Sequence, residues 1–220
     1  MTQIKICGII NEEDALCAAA CGADALGFIF YPPSPRYIAP ADALEIIKKI
    51  PAHIAIVGVF VNEAAENVKQ ISGLCSLDFI QLHGDESVEY CLGFAREMII
   101  KAVELRDEDD LRNAVRYNAA AILVDSRHDG LYGGTGKKSN WDLALKIKSK
   151  KPLILSGGLN EENVCEALEK VAPHALDINS GVEIKPGEKD HQKLVKLFDL
   201  IHSVAAGEKE SELIFRKRGK

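Results

Sequence analysis

Short apolar runs alternate along the whole chain with longer stretches whose apolar positions recur every three or four residues. The short runs predict strands at Gln3 to Cys7, Ala25 to Phe30, Ala55 to Val61, Asp78 to Leu82, Met98 to Val103, Ala120 to Val124, Leu153 to Leu155 and Ala175 to Ile178. The stretches between and after them predict helices near Glu12 to Cys21, Ala41 to Ile50, Glu63 to Ser72, Glu86 to Arg96, Glu108 to Tyr117, Trp141 to Ser149, Glu161 to Val171 and Lys189 to Val204. Asn11, Asn62, Asp85, Asp107, Asn140 and Asn160 stand where helix starts need a side chain to accept from free backbone N–H groups. Strands apolar on both faces suit a parallel sheet, and eight strand-helix units fit an α/β protein with a single (β/α)8 TIM barrel over residues 1–205. An open doubly wound sheet is the alternative. Residues 206–220 form a charged carboxy-terminal tail, expected to be solvated and without function.

Composition narrows the class. Of 220 residues, 47% are hydrophobic and 27% charged, and no apolar run approaches the roughly 18 residues that a membrane span needs. The net charge of -6 argues against a general nucleic-acid binder. The first residues run straight into a strand with no export signal, which predicts a cytoplasmic protein. Cys7, Cys17, Cys21, Cys75, Cys91 and Cys165 therefore read as reduced thiols, and neither they nor the scattered histidines show metal-ligand spacing. No structural metal is expected.

The candidate chemistry gathers where strands stop. Cys7, Tyr31, Asn62, His83, Glu104, Asp125, Ser156 and Asn179 follow or end the eight runs, and the loops after the strands carry function in this architecture. Lys5 and Cys7 share one face of their strand. Cys7 alone would read as a small hydrophobe, but Gly8 permits close approach and Lys5 offers a charge that favours the thiolate. Asp125 ends an apolar strand, as either a loop cap or an acid. Ser156-Gly157-Gly158 and Asn179-Ser180-Gly181 follow the seventh and eighth strands, the usual phosphate cradle of the barrel. Arg36 sits in a loop stiffened by Pro32, Pro33 and Pro35 and suits a carboxylate. His83 lies near the barrel mouth, structural or in contact with substrate. The glycine-rich segment Arg127 to Ser139 is long enough for a lid; its Gly133 to Ser139 stretch lacks the residues of a nucleotide-binding P-loop at Leu131 and Lys138.

Taken together, Lys5-Ile6-Cys7-Gly8-Ile9, Gly27 to Tyr37, Val57 to Val61, Gln81-Leu82-His83-Gly84, Gly133 to Gly136, Ser156 to Leu159 and Asn179 to Glu183 resemble the phosphoribosylanthranilate isomerase family of tryptophan biosynthesis. The resemblance implies a (β/α)8 barrel catalysing a cofactor-free Amadori rearrangement of a phosphorylated small molecule. It assigns Asp125 as general acid, Cys7 as general base, Arg36 to the anthranilate carboxylate, Asp177 to ribose hydroxyls, and Gly157, Gly158, Ser180 and Gly181 to the phosphate. Three positions depart from the family's habit: Ile10 for Thr, Ser139 for Phe and Asn179 for Ser. A histidine-pathway sugar isomerase resembles the chain less well, since that family has Asp in place of Cys7. A non-catalytic phosphoribosyl binder would need the glycine loops and Arg36 but neither Cys7 nor Asp125.

Overall fold

In the computed structural model, which describes residues 1–125, 140–205 and 213–216, all eight apolar runs form strands, and the parallel sheet closes on itself. In chain order these are β1 (Gln3–Cys7), β2 (Ala25–Ile29), β3 (Ala55–Phe60), β4 (Phe79–Leu82), β5 (Ile99–Val103), β6 (Ala121–Val124), β7 (Leu153–Leu155) and β8 (Ala175–Ile178). The seam is the β1–β8 pair, which sets Lys5 opposite Asp177. The helices are α1 (Glu12–Cys21), α2 (Pro40–Ile47), α3 (Ala65–Cys75), α4 (Val88–Cys91), α5 (Glu108–Ala114), α6 (Trp141–Lys148), α7 (Val164–Val171) and α8 (His191–Ala205). A small antiparallel hairpin, β9 (Glu183–Lys185) and β10 (Glu188–Lys189), follows the barrel. The closed barrel is the expected one and the open sheet is set aside. No helix among the described residues is long and apolar enough to cross a membrane.

Alternation along each strand divides the core in two. One set, including Ala25, Val57, Phe79, Ile100, Leu123 and Ile154, packs together inside the barrel. The other, including Ile6, Leu26, Phe28, Ile80, Ile122 and Leu176, joins helix residues such as Ala18, Val68, Ala144, Leu168 and Phe198 in an outer layer. Each fully buried Leu, Ile or Phe contributes about 1.5–3 kcal/mol relative to its exposed state, so the sheet is held from both faces.

Three of the six expected caps act as such. Asn11, Asp107 and Asn140 accept from backbone N–H groups of α1, α5 and α6. Asn62 instead adopts a left-handed φ of 50° and accepts from Asp85 N, while Ser87 caps α4. Asn160 closes a turn ahead of α7, which starts only at Val164. The α4 segment is the largest departure in length, because Glu86 is drawn inward onto Lys101 instead of opening a helix.

The tail also departs from expectation. Ile214 and Phe215 are buried with the barrel-interior cluster. The Gln3 side chain donates to Phe215 O and accepts from Phe215 N, and the Phe215 ring meets Phe79 edge-on at 5.7 Å. Since Gln3 begins β1, these residues close the amino-terminal end of the barrel, opposite the reactive strand ends.

Candidate active site

Inside the barrel the side chains become polar toward the ends of the strands. Lys5 and Cys7 on β1, Gln81 on β4 with His83 just beyond it, and Asp177 on β8 with Asn179 just beyond it each repeat at a spacing of two, and so share a face. Cys7, Gln81, His83, Asp125, Ser156, Asp177 and Asn179 line one cavity, joined by Tyr31, Ser34 and Arg36 from the loop after β2. That loop turns back at Tyr37 to bridge Ile29, with Ser34 Oγ accepting from Arg36 N.

Small residues admit the sulfur. A Cβ on Gly27 would lie 2.8 Å from Cys7 Sγ and 3.0 Å from Lys5 Nζ; one on Gly8, at φ +76°, would meet Asn179 Oδ1 at 2.7 Å and Arg36 Cδ at 2.9 Å. These glycines let a cation, a thiol and an arginine converge. Burial pushes the Cys7 thiol above its ordinary value, opposed by the Lys5 ammonium that hydrogen-bonds it. Lys5 is itself fully buried. Burial disfavours its charge, but Asp177, 2.6 Å away, and Cys7 hold its pKa above the usual lysine value. Asp177 is further placed by Ser156, whose Oγ lies 3.4 Å from Oδ2.

Across the cavity Asp125 is 3% exposed, with its Oδ2 3.1 Å from His83 Nε2. His83 Nδ1 in turn lies 2.8 Å from Gln81 Nε2. Arg36 is held from outside: its Nε and Nη2 donate to the Glu183 carboxylate at 2.7–3.1 Å. Glu183 also accepts from Lys189 Nζ and Gly187 N, and Lys189 Nζ donates to Asn179 Oδ1 at 2.9 Å. Burial lowers the Lys189 pKa against the pull of Glu183. Burial alone would raise Glu183, yet Arg36 and Lys189 together hold its carboxyl below the usual range.

The structure therefore brings Cys7, Arg36, His83, Asp125 and Asp177 to one cavity. Gly157, Gly158, Ser180 and Gly181 do not line the cavity themselves, but directly follow its lining residues Ser156 and Asn179 along the chain. Gly157 and Gly158 have positive φ values of 95° and 64°, and a Cβ on Gly181 would fall 1.9 Å from Leu159 O. Asn62 and Glu104 do not line the cavity. The lid segment and Gly133 to Gly136 lie outside the described residues. Gln81, Glu183 and Lys189 were not singled out from the sequence. Gln81 had a readable signal, a polar residue two positions before a strand-end histidine, whereas Glu183 meets Arg36, and Lys189 meets Glu183, only through the fold.

Comparison with known proteins follows the same outline. Residues 4–200 match the family described as PRAI, N-(5'phosphoribosyl)anthranilate (PRA) isomerase. A Syntrophus aciditrophicus protein named N-(5'-phosphoribosyl)anthranilate isomerase is 55% identical over 194 residues, covering 88% of this chain and 84% of its own. The Thermotoga maritima protein of that name is 46% identical over 200 residues, covering 90% and 97%. The crystal structure of phosphoribosyl anthranilate isomerase from Thermotoga maritima matches with a TM-score of 0.86 and 43% identity over 92% of this chain and all of that one. Another such isomerase, in complex with reduced 1-(o-carboxyphenylamino)-1-deoxyribulose 5-phosphate, matches with a TM-score of 0.82 and 41% identity over the same shares.

Proposed function

Because the chain belongs to the N-(5'-phosphoribosyl)anthranilate isomerase family, we propose that its cavity rearranges N-(5'-phosphoribosyl)anthranilate to the 1-deoxyribulose phosphate with Asp125 as acid and Cys7 as base. The chain is an isomerase of tryptophan biosynthesis. The family reaction is internal to its substrate, so the protein's task is to supply and remove protons at fixed places.

Asp125 gives a proton to the ribose ring oxygen as the C1–O bond breaks, and the lone pair of the anthranilate nitrogen forms the cationic imine. That cation acidifies the neighbouring C2–H. Cys7 removes the C2 proton, and the electron pair moves into a C1–C2 double bond, giving an enolamine. Loss of the enol proton and protonation at C1 then yield the ketone. Each positioned transfer is worth about 10²- to 10⁴-fold. Lys5 opposes the burial cost of the thiolate that Cys7 must become. Asp177, fixed by Lys5 and Ser156, accepts from ribose hydroxyls, and His83 contacts the substrate while engaging Asp125. Arg36 receives the anthranilate carboxylate. Since Glu183 occupies Nε and one side of Nη2, the ligand meets the edge carrying Nη1. The loops bearing Gly157, Gly158, Ser180 and Gly181 hold the phosphate, and the enzyme works in the cytoplasm.

The observation that carries this reading is the opening of Cys7 and Asp125 onto one cavity from strands on different sides of the barrel. The test is turnover of N-(5'-phosphoribosyl)anthranilate without added metal or nucleotide. Cys7→Ala and Asp125→Asn are each expected to lose about 10²-fold or more in kcat while keeping the wild-type circular dichroism spectrum. Full activity in either folded variant removes that residue from the mechanism.

A further inference from the structure

Gln81 is 1% exposed at the end of a barrel strand, and no step above uses it. Its amide nitrogen lies 2.8 Å from His83 Nδ1, and the opposite ring nitrogen lies 3.1 Å from Asp125 Oδ2. The other half of the amide, Oε1, is buried with no hydrogen-bond partner among the described residues. A buried amide oxygen without a partner is costly, so the orientation of this amide calls for a reason.

The geometry points to Gln81 as the positioning residue that fixes the tautomer of His83, and through it the atom of Asp125 that carries the acidic proton. This rests on the reading of Asp125 as the acid. An amide NH2 is only a donor, so Nδ1 facing it must accept, and the neutral ring then carries its proton on Nε2. That N–H donates to Asp125 Oδ2. With Oδ2 engaged by a donor, the transferable proton belongs on Oδ1. When that proton has gone to the sugar, the same N–H meets a carboxylate and the hydrogen bond becomes charge-assisted. One tautomer therefore serves Asp125 before and after it gives up its proton, and the site has nothing to rearrange during the step. With the amide turned over, Oε1 would draw the ring proton to Nδ1 and set the Nε2 lone pair against the newly formed carboxylate.

The direct test is 15N NMR of the ring nitrogens of His83 in the whole enzyme, alongside steady-state kinetics. In the wild type, Nε2 is expected to carry hydrogen and Nδ1 to be bare. Gln81→Glu places an acceptor at Nδ1 and should move hydrogen onto that atom. Gln81→Met removes the donor while keeping length. It should lower kcat by about 10-fold or more with little change in KM, short of the roughly 10²- to 10⁴-fold expected for loss of the acid itself. A wild-type proton on Nδ1, or a folded Gln81→Met enzyme with unchanged kcat, overturns the inference. Should both variants misfold, the wild-type spectrum still decides it. A fully active Asp125→Asn enzyme would instead remove the acid assignment and leave the measured tautomer standing, so the two failures are distinct.

Discussion

At the residue scale, Cys7 ends β1 and Asp125 directly follows β6, so the proposed base and acid both stand where an apolar strand stops. Cys7 also packs against Ile29 and Val59. Arg36, the proposed partner of the substrate carboxylate, is held by Glu183, which lies far from it in sequence and meets it only through the fold. That contact has a measurable signature in acid. The Glu183 carboxyl titrates below its ordinary value of about 4.3 in the folded protein and near that value when unfolded. Between the two, only the unfolded chain takes up the proton. The contribution of Glu183 is thus complete above about pH 4.3 and disappears as pH falls through the folded value. Urea denaturation of wild type and Glu183→Gln is expected to show a stability gap at neutral pH that closes in acid. A gap that stays constant or widens would show that the charge of Glu183 is not what holds the cluster.

At the element scale, the sequence reveals which segments are strands and helices better than where they begin. All eight strands follow from apolar runs, yet α4 shrinks to Val88–Cys91. The cause is tertiary. Glu86 accepts from Lys101 Nζ, Asn62 N and Gly84 N, and these bonds pull the residue out of a helical first turn and onto the loop that carries His83. Asn62 fails as a cap for the same reason, its side chain being taken by Asp85 N. Local propensity assigned those side chains to their own helices, whereas the fold uses them to brace a neighbouring loop beside the cavity.

At the scale of the whole molecule, the barrel has a reactive end and a sealed end. The tail is not wholly solvated as its basic residues suggest, because Ile214 and Phe215 are buried with the barrel-interior cluster, a place that exists only once the barrel closes. Deleting residues 206–220 is therefore expected to lower stability by about 1.5–3 kcal/mol for each of Ile214 and Phe215 at most, with kcat unchanged, as read by urea denaturation and turnover assays. An unaltered denaturation midpoint would mean that the tail contributes nothing to the seal. At the opposite end one sugar is proposed to lie between Cys7 and Asp125, and a crystal structure of this protein with reduced 1-(o-carboxyphenylamino)-1-deoxyribulose 5-phosphate tests that placement. Cys7 Sγ is expected to face C2 of the ligand, with an Asp125 oxygen within about 2.6–3.2 Å of the former ring oxygen. A ligand bound with its C2 turned away from the sulfur, or with Asp125 on no part of the sugar, would contradict it.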